Sequence, residues 1–181
     1  MFRKLFRTFS YLGGRRLDNT YWYWYPQVIN SFEATQYSQS ITAVCGVIQP
    51  KEALEKIIVI KNSRGYDLPG GHVEPHEHYL NTFHRELREE ANATIINTLT
   101  PFAILHSDKE TPKKTAVLFC KGIASMGSFY PNTEIFERKL MTPEDFLACY
   151  GGNKALMDYL LKVAFPKLEI AETSSCKRGI S

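Results

Sequence analysis

The stretch GHVEPHEHYLNTFHRELREEANA, Gly71 to Ala93, decides how this chain folds. Leu80, Phe83, Leu87 and Ala91 recur at helical spacing, which predicts a helix over about His78 to Ala91 with these four as its inner stripe. Glu86, Glu89 and Glu90 stand at i, i+3 and i+4, so they share one face and are turned into a groove. Like charges so placed oppose an isolated helix by roughly a few tenths of a kcal/mol per pair. A hard divalent cation, which takes oxygen ligands, gives the cluster a physical reason to exist.

Outward from this helix the pattern is β-rich. Tyr66 to Leu68 reads as a short strand feeding the bend Pro69-Gly70-Gly71, and Ile57 to Lys61 and Ile41 to Ile48 read as buried strands upstream. Downstream, strands are expected near Thr94 to Leu99, Phe102 to His106, Thr115 to Ile123 and Phe136 to Met141. Ser107 to Lys114 reads as a hairpin loop and Ser125 to Glu134 as a Gly/Ser/Pro-rich loop. Thr142-Pro-Glu-Asp has the N-cap, N1 and first-turn residues of a helix start, and Asn153 to Ala164 is a second amphipathic helix. Strands, helix, strands, helix imply an α/β fold, a mixed sheet covered by helices on both faces.

The spacing G-x5-E-x7-R-E-U-x-E-E-x-G-U, with U aliphatic, is the Nudix hydrolase signature, and this stretch resembles it. Gly71, Glu77, Arg85, Glu86, Leu87, Glu89 and Glu90 fall in register, with Ala93 at the last aliphatic position. Asn92 replaces the last glycine; Asn is the other residue that readily takes the left-handed conformation ending a helix. The resemblance covers about Ser40 to Phe165 and implies the Nudix-type α/β/α sandwich.

It also implies an activity: Mg2+-dependent hydrolysis of a phosphoanhydride in a nucleoside diphosphate linked to another moiety, of the nucleoside triphosphate or nucleotide sugar type. Mn2+ is an acceptable substitute. Glu86, Glu89 and Glu90, with backbone oxygen at Gly70 or Gly71, are the implied metal ligands. Arg85 is implied to hold Glu77 and so brace the loop against the helix. Glu89, Glu90, Arg85 and a loop glutamate make up the expected catalytic set, with Glu134 preferred over Glu137 as base. The family's marks for ADP-ribose and dinucleoside polyphosphate substrates are absent around Asp108 to Thr111.

Other residues invite a role and carry a plainer alternative. Trp22 and Trp24, in the run Tyr21 to Tyr25, are equally a base-stacking platform or a core strand. Lys113 and Lys114 suit phosphate contact or a solvated hairpin tip. His72, His76 and His78 lack the spacing that sets two ligands on one helix face, so His76 and His78 read as exposed loop residues; His84 and His106 read as surface or core-edge.

The 181 residues suffice for one full core, and a net charge of +3 does not argue for duplex nucleic acid. Residues 1–35 read as a basic, aromatic extension, 36–166 as the catalytic domain and 167–181 as a frayed tail. Within the extension, residues 1–16 carry five cations and no acid; a helix or extended arm packed on the domain is favoured over a helix lying on a membrane surface. The four cysteines form no C-x-x-C pair and three of them sit in apolar surroundings, which suits reduced, buried thiols and a cytoplasmic protein, and no run approaches a membrane span. A small nucleotide is the expected partner; oligomeric state is open. The competing readings are a Nudix-fold module that binds a nucleotide without turnover, and a membrane-surface protein acting through its basic N-terminus.

Overall fold

The computed structural model describes residues 14–17, 20–23, 25–106 and 116–166. Two strands, β1 (Gly14–Leu17) and β2 (Thr20–Tyr23), form an antiparallel ladder. Arg15 and Arg16 therefore lie on a strand, as an extended arm would have them, and not on a helix. The next strand, β3 (Tyr25–Val28), already belongs to the main sheet, so pairing begins before residue 36. A short helix, α1 (Ser31–Gln36), follows; Asn30 and Glu33 close its start with a reciprocal capping box.

Two long strands form the centre. Strands β4 (Ile41–Pro50) and β10 (Ala116–Met126) run parallel, and β9 (Thr100–His106) lies antiparallel on the far side of β10. With β7 (Gly70–His72) and β8 (Ala93–Ile95) they make a six-stranded mixed sheet in the order β3-β9-β10-β4-β7, with β8 paired to β10. A separate antiparallel sheet has the order β11-β5-β6, from β5 (Ile57–Asn62), β6 (Gly65–Asp67) and β11 (Glu137–Met141).

Side-chain alternation divides the core in two. Val44 and Ile48 of β4, Ile58 and Ile60 of β5, and Leu118 and Cys120 of β10 face α2 (Tyr79–Ala91), meeting its Phe83, Leu87 and Ala91. Val47, Ile57, Val59 and Phe119 point the other way, onto Phe146 of α3 (Pro143–Cys149) and Met157, Leu160 and Leu161 of α4 (Lys154–Ala164). The layers are α/β/α, as the strand–helix order implied.

Several boundaries differ from the sequence reading. The expected strand Thr94 to Leu99 stops at Ile95: Ile96 N–H still donates to the Ile123 carbonyl at 2.9 Å, but the Ile123 N–H is taken by the Asn97 side chain, which ends the ladder. Tyr79 takes the buried N-terminal place on α2, leaving Leu80 half-buried. His106 is buried and Cys149 exposed, both against expectation. Residues 1–13, the hairpin loop with Lys113 and Lys114, Trp24, and the tail after Pro166 lie outside the described residues, as does the side chain of Trp22 on β2.

Candidate active site

The loop between β7 and α2 is built to deliver Glu77 to the helix. Glu77 N–H donates to the Glu74 carbonyl, and the His78 ring caps α2 by accepting the Leu80 N–H at 3.3 Å. The buried Thr82 hydroxyl, one turn in, donates to Glu77 Oε2 at 2.8 Å. Arg85 meets the same carboxylate with two donors, Nε to Oε1 at 3.3 Å and Nη2 to Oε2 at 3.2 Å. These bonds hold the Glu77 carboxyl below the usual range, Arg85 contributing most and Thr82 next. Arg85 in turn is held protonated by its carboxylate partners.

The third donor of Arg85, Nη1, serves Glu86 Oε1 at 2.9 Å and Glu89 Oε2 at 3.2 Å. One guanidinium thus ties three of the four signature glutamates into a cluster. Their exposure differs sharply: the side chain of Glu89 is 60% exposed and that of Glu86 16%. Glu86 lies against Gly71, where any Cβ would collide with its carboxylate. Gly70 adopts φ of +151°, a conformation L side chains rarely reach, and its N–H donates to Glu90 Oε2 at 2.8 Å. The two glycines bring bare backbone against the carboxylates at the carboxyl end of α2.

Burial dominates the electrostatics of the inner two glutamates. Desolvation pushes Glu90 up to about 7; the Gly70 N–H opposes this, while Glu86 and Asp67 add to it. Desolvation likewise raises Glu86 against the pull of Arg85. Among the described residues no group of three His, Cys, Asp or Glu side chains forms a ready metal cage; Glu86 and Glu89 each accept a hydrogen bond from Arg85. The donor set still fits a hard divalent cation. It consists of carboxylate and carbonyl oxygen alone, and two of its carboxylates are desolvated to a degree that an added positive charge would offset.

Of the remaining expectations, Glu134 sits exposed in the loop after β10. Glu137 instead accepts the Tyr66 hydroxyl proton at 2.8 Å, so its carboxylate is already engaged. His76 and His78 are exposed and outside the cluster. Sequence reasoning missed four neighbours of the site. Thr82 orients Glu77, and its spacing of three from Tyr79 was the available signal. Asp67, raised by burial, and Arg64, which approaches it at 3.8 Å, are felt at Glu90 across the β6–β7 turn. Cys45 pairs in register with Gly70, and burial pushes its thiol up to about 12.

The comparisons agree with this fold. No curated protein sequence matches the chain. Among solved structures, a point variant of the Bacillus subtilis pyrophosphohydrolase BsRppH superposes with a TM-score of 0.54 at 21% identity, covering 84% of this chain and 95% of that one. The NUDIX domain of Shewanella oneidensis NrtR, complexed with ADP ribose, gives 0.55 at 15% identity over 77% of this chain and 99% of its own. A MutT structure from work on Aliivibrio salmonicida and Vibrio cholerae gives 0.51 at 23% identity, covering 67% and 93%. At such identities these similarities establish the fold. The NUDIX domain family model matches residues 38–159, a span holding every signature position and both sheet centres. With that match over most of its length, the chain belongs to the Nudix hydrolase family.

Proposed function

We propose that this protein hydrolyses a phosphoanhydride bond in a nucleoside diphosphate linked to another moiety, with Mg2+ as cofactor. The observation that carries the reading is the unbroken set of signature carboxylates, Glu86, Glu89 and Glu90, gathered at one helix end against the bare backbone of Gly70 and Gly71. Those three side chains, with backbone oxygen at Gly70 or Gly71, are the groups that would hold the cation. Bound there, it supplies neutralisation of pyrophosphate charge, which otherwise repels any nucleophile.

The chain's own residues do the rest. Glu134, on an exposed turn, takes the proton of the attacking water as its oxygen bonds to phosphorus and the bridging P–O bond breaks in line. Arg85 keeps Glu77, Glu86 and Glu89 in place, so the ligand side chains lose little freedom when they bind. The NrtR domain was solved with ADP ribose and BsRppH is a pyrophosphohydrolase, which supports trying nucleotides with a diphosphate link first. The unpaired thiols of Cys45 and Cys120 suit a cytoplasmic site of action.

The test is a panel of nucleoside triphosphates, nucleotide sugars, ADP-ribose and dinucleoside polyphosphates, assayed for released phosphate or nucleoside monophosphate with Mg2+, with Mn2+ and with EDTA. Turnover by the wild type that EDTA abolishes is the expected result. Binding of a panel member without turnover would instead make this a nucleotide-binding module.

A further inference from the structure

The signature helix is fastened at its carboxyl end to the segment that carries Glu134. A helix end leaves carbonyl oxygens without intrahelical partners and concentrates negative partial charge there. Here the partners come from far along the chain. Arg138, on β11, donates Nη1 to the Ala91 carbonyl at 2.5 Å. Asn92 caps α2 in the left-handed conformation, with φ of 43° and ψ of 51°. Its own carbonyl accepts the Gly127 N–H at 2.8 Å, and its side-chain amide donates to the Ser128 carbonyl at 2.6 Å. A Cβ on Gly127 would sit 2.7 Å from that amide, so a side chain there would displace it. The Arg138 guanidinium lies 5.4 Å over the Phe129 ring, closing the clasp from the other side.

From this clasp the chain runs straight to the candidate base. Asn132 Oδ1 accepts both the Glu134 N–H at 2.9 Å and the Ile135 N–H at 2.7 Å, an Asx turn with Glu134 inside it. Ile135 is buried in the α2 core and Phe136 N–H donates to the Lys61 carbonyl at 2.8 Å. The segment 127–136 is therefore tied at both ends and braced in the middle, with the Glu134 side chain exposed.

We propose that Asn92 and Arg138 are positioning residues, which fix the segment 127–136 to the end of the carboxylate-bearing helix and so hold Glu134 at the reacting water. The departure from the family glycine at position 92 then has a purpose: glycine would satisfy the left-handed cap but offers no amide to Ser128. This inference rests on the reading of Glu134 as base. Asn92→Gly is the sharpest probe, because it keeps the cap conformation and deletes only the tether. With the nucleotide of the panel that is turned over fastest, at saturating Mg2+, Asn92→Gly and Arg138→Gln should each lower kcat about tenfold and leave KM within about twofold. Arg138→Lys, which retains a donor and a cation over Phe129, should recover part of the loss. Asn92→Gly added to Glu134→Gln should cost nothing beyond Glu134→Gln alone. Amide exchange should quicken across 127–136 while the buried turns of α2 stay protected. Wild-type kcat in Asn92→Gly beside a crippled Glu134→Gln overturns the positioning role. Wild-type kcat in Glu134→Gln overturns the base assignment itself, and this inference with it.

Discussion

Replacing Glu90 by glutamine should stabilise the protein in EDTA and destroy its activity, a combination that only a strained functional carboxylate produces. Burial lifts Glu90 from its ordinary 4.5 to about 7. At about 1.36 kcal/mol per pH unit, full burial would set an upper bound of about 3.4 kcal/mol on the cost of ionising it in the folded state. The side chain is half-buried, and solvent screening reduces this to about 1–2 kcal/mol. The sign follows from linkage. The folded group holds its proton more tightly than the unfolded one, so the penalty is absent below pH 4.5, grows as pH rises, and is complete above about 7. Glu86, Asp67, Arg64 and the Cys45 thiol surround Glu90 and remain in both proteins, so their contributions largely cancel in the comparison. Glutamine keeps an oxygen to accept the Gly70 N–H but cannot ionise. Urea denaturation at pH 5 and pH 8 in EDTA should show the wild type losing about 1–2 kcal/mol more than Glu90→Gln between the two. At pH 8 with Mg2+ the variant should hydrolyse the best substrate at least about 100-fold more slowly. Equal pH dependence of stability in the two proteins would refute the claim that burial strains this carboxylate.

Glu89→Gln should leave urea stability within about 0.5 kcal/mol of wild type, since the side chain is mostly exposed and, among the described residues, held by Arg85, yet turnover should collapse in the same panel assay. Arg85→Lys exchanges a fork bonded to Glu77, Glu86 and Glu89 for a single ammonium; chemical denaturation should show a loss of about 1–3 kcal/mol, and calorimetric titration with Mg2+ should show weaker binding. Phe83→Ala empties a fully buried site between α2 and the sheet, so a loss of about 3–5 kcal/mol is expected in the same denaturation experiment, with no selective effect on metal affinity if the variant folds.

How much of this was readable in advance depends on the range of the interaction concerned. The helix Tyr79–Ala91, its left-handed end at Asn92 and the buried strands through Val44, Ile58 and Leu118 were legible, because period and capping are written within a few residues. The order of strands was not. Parallel pairing of β4 with β10, the capture of Tyr25–Val28 by β9 and the pairing of Gly70–His72 with β4 depend on backbone partners distant in sequence. Short strands such as β7 and β8 carry too few residues to show a pattern.

The same division runs through the site. Chemical identity was local: five polar positions at set spacing around Gly71 to Glu90 already gathered carboxylates on one helix face and specified the family to which they belong. Packing decided what each of those groups became. It put Glu90 against the Gly70 N–H in a desolvated corner, left Glu89 in water and gave Glu137 to Tyr66. Above all it drew Ser128 and Arg138 to the end of a helix that closes at Asn92, since desolvation and hydrogen bonding act through space while motif spacing records only neighbours along the chain.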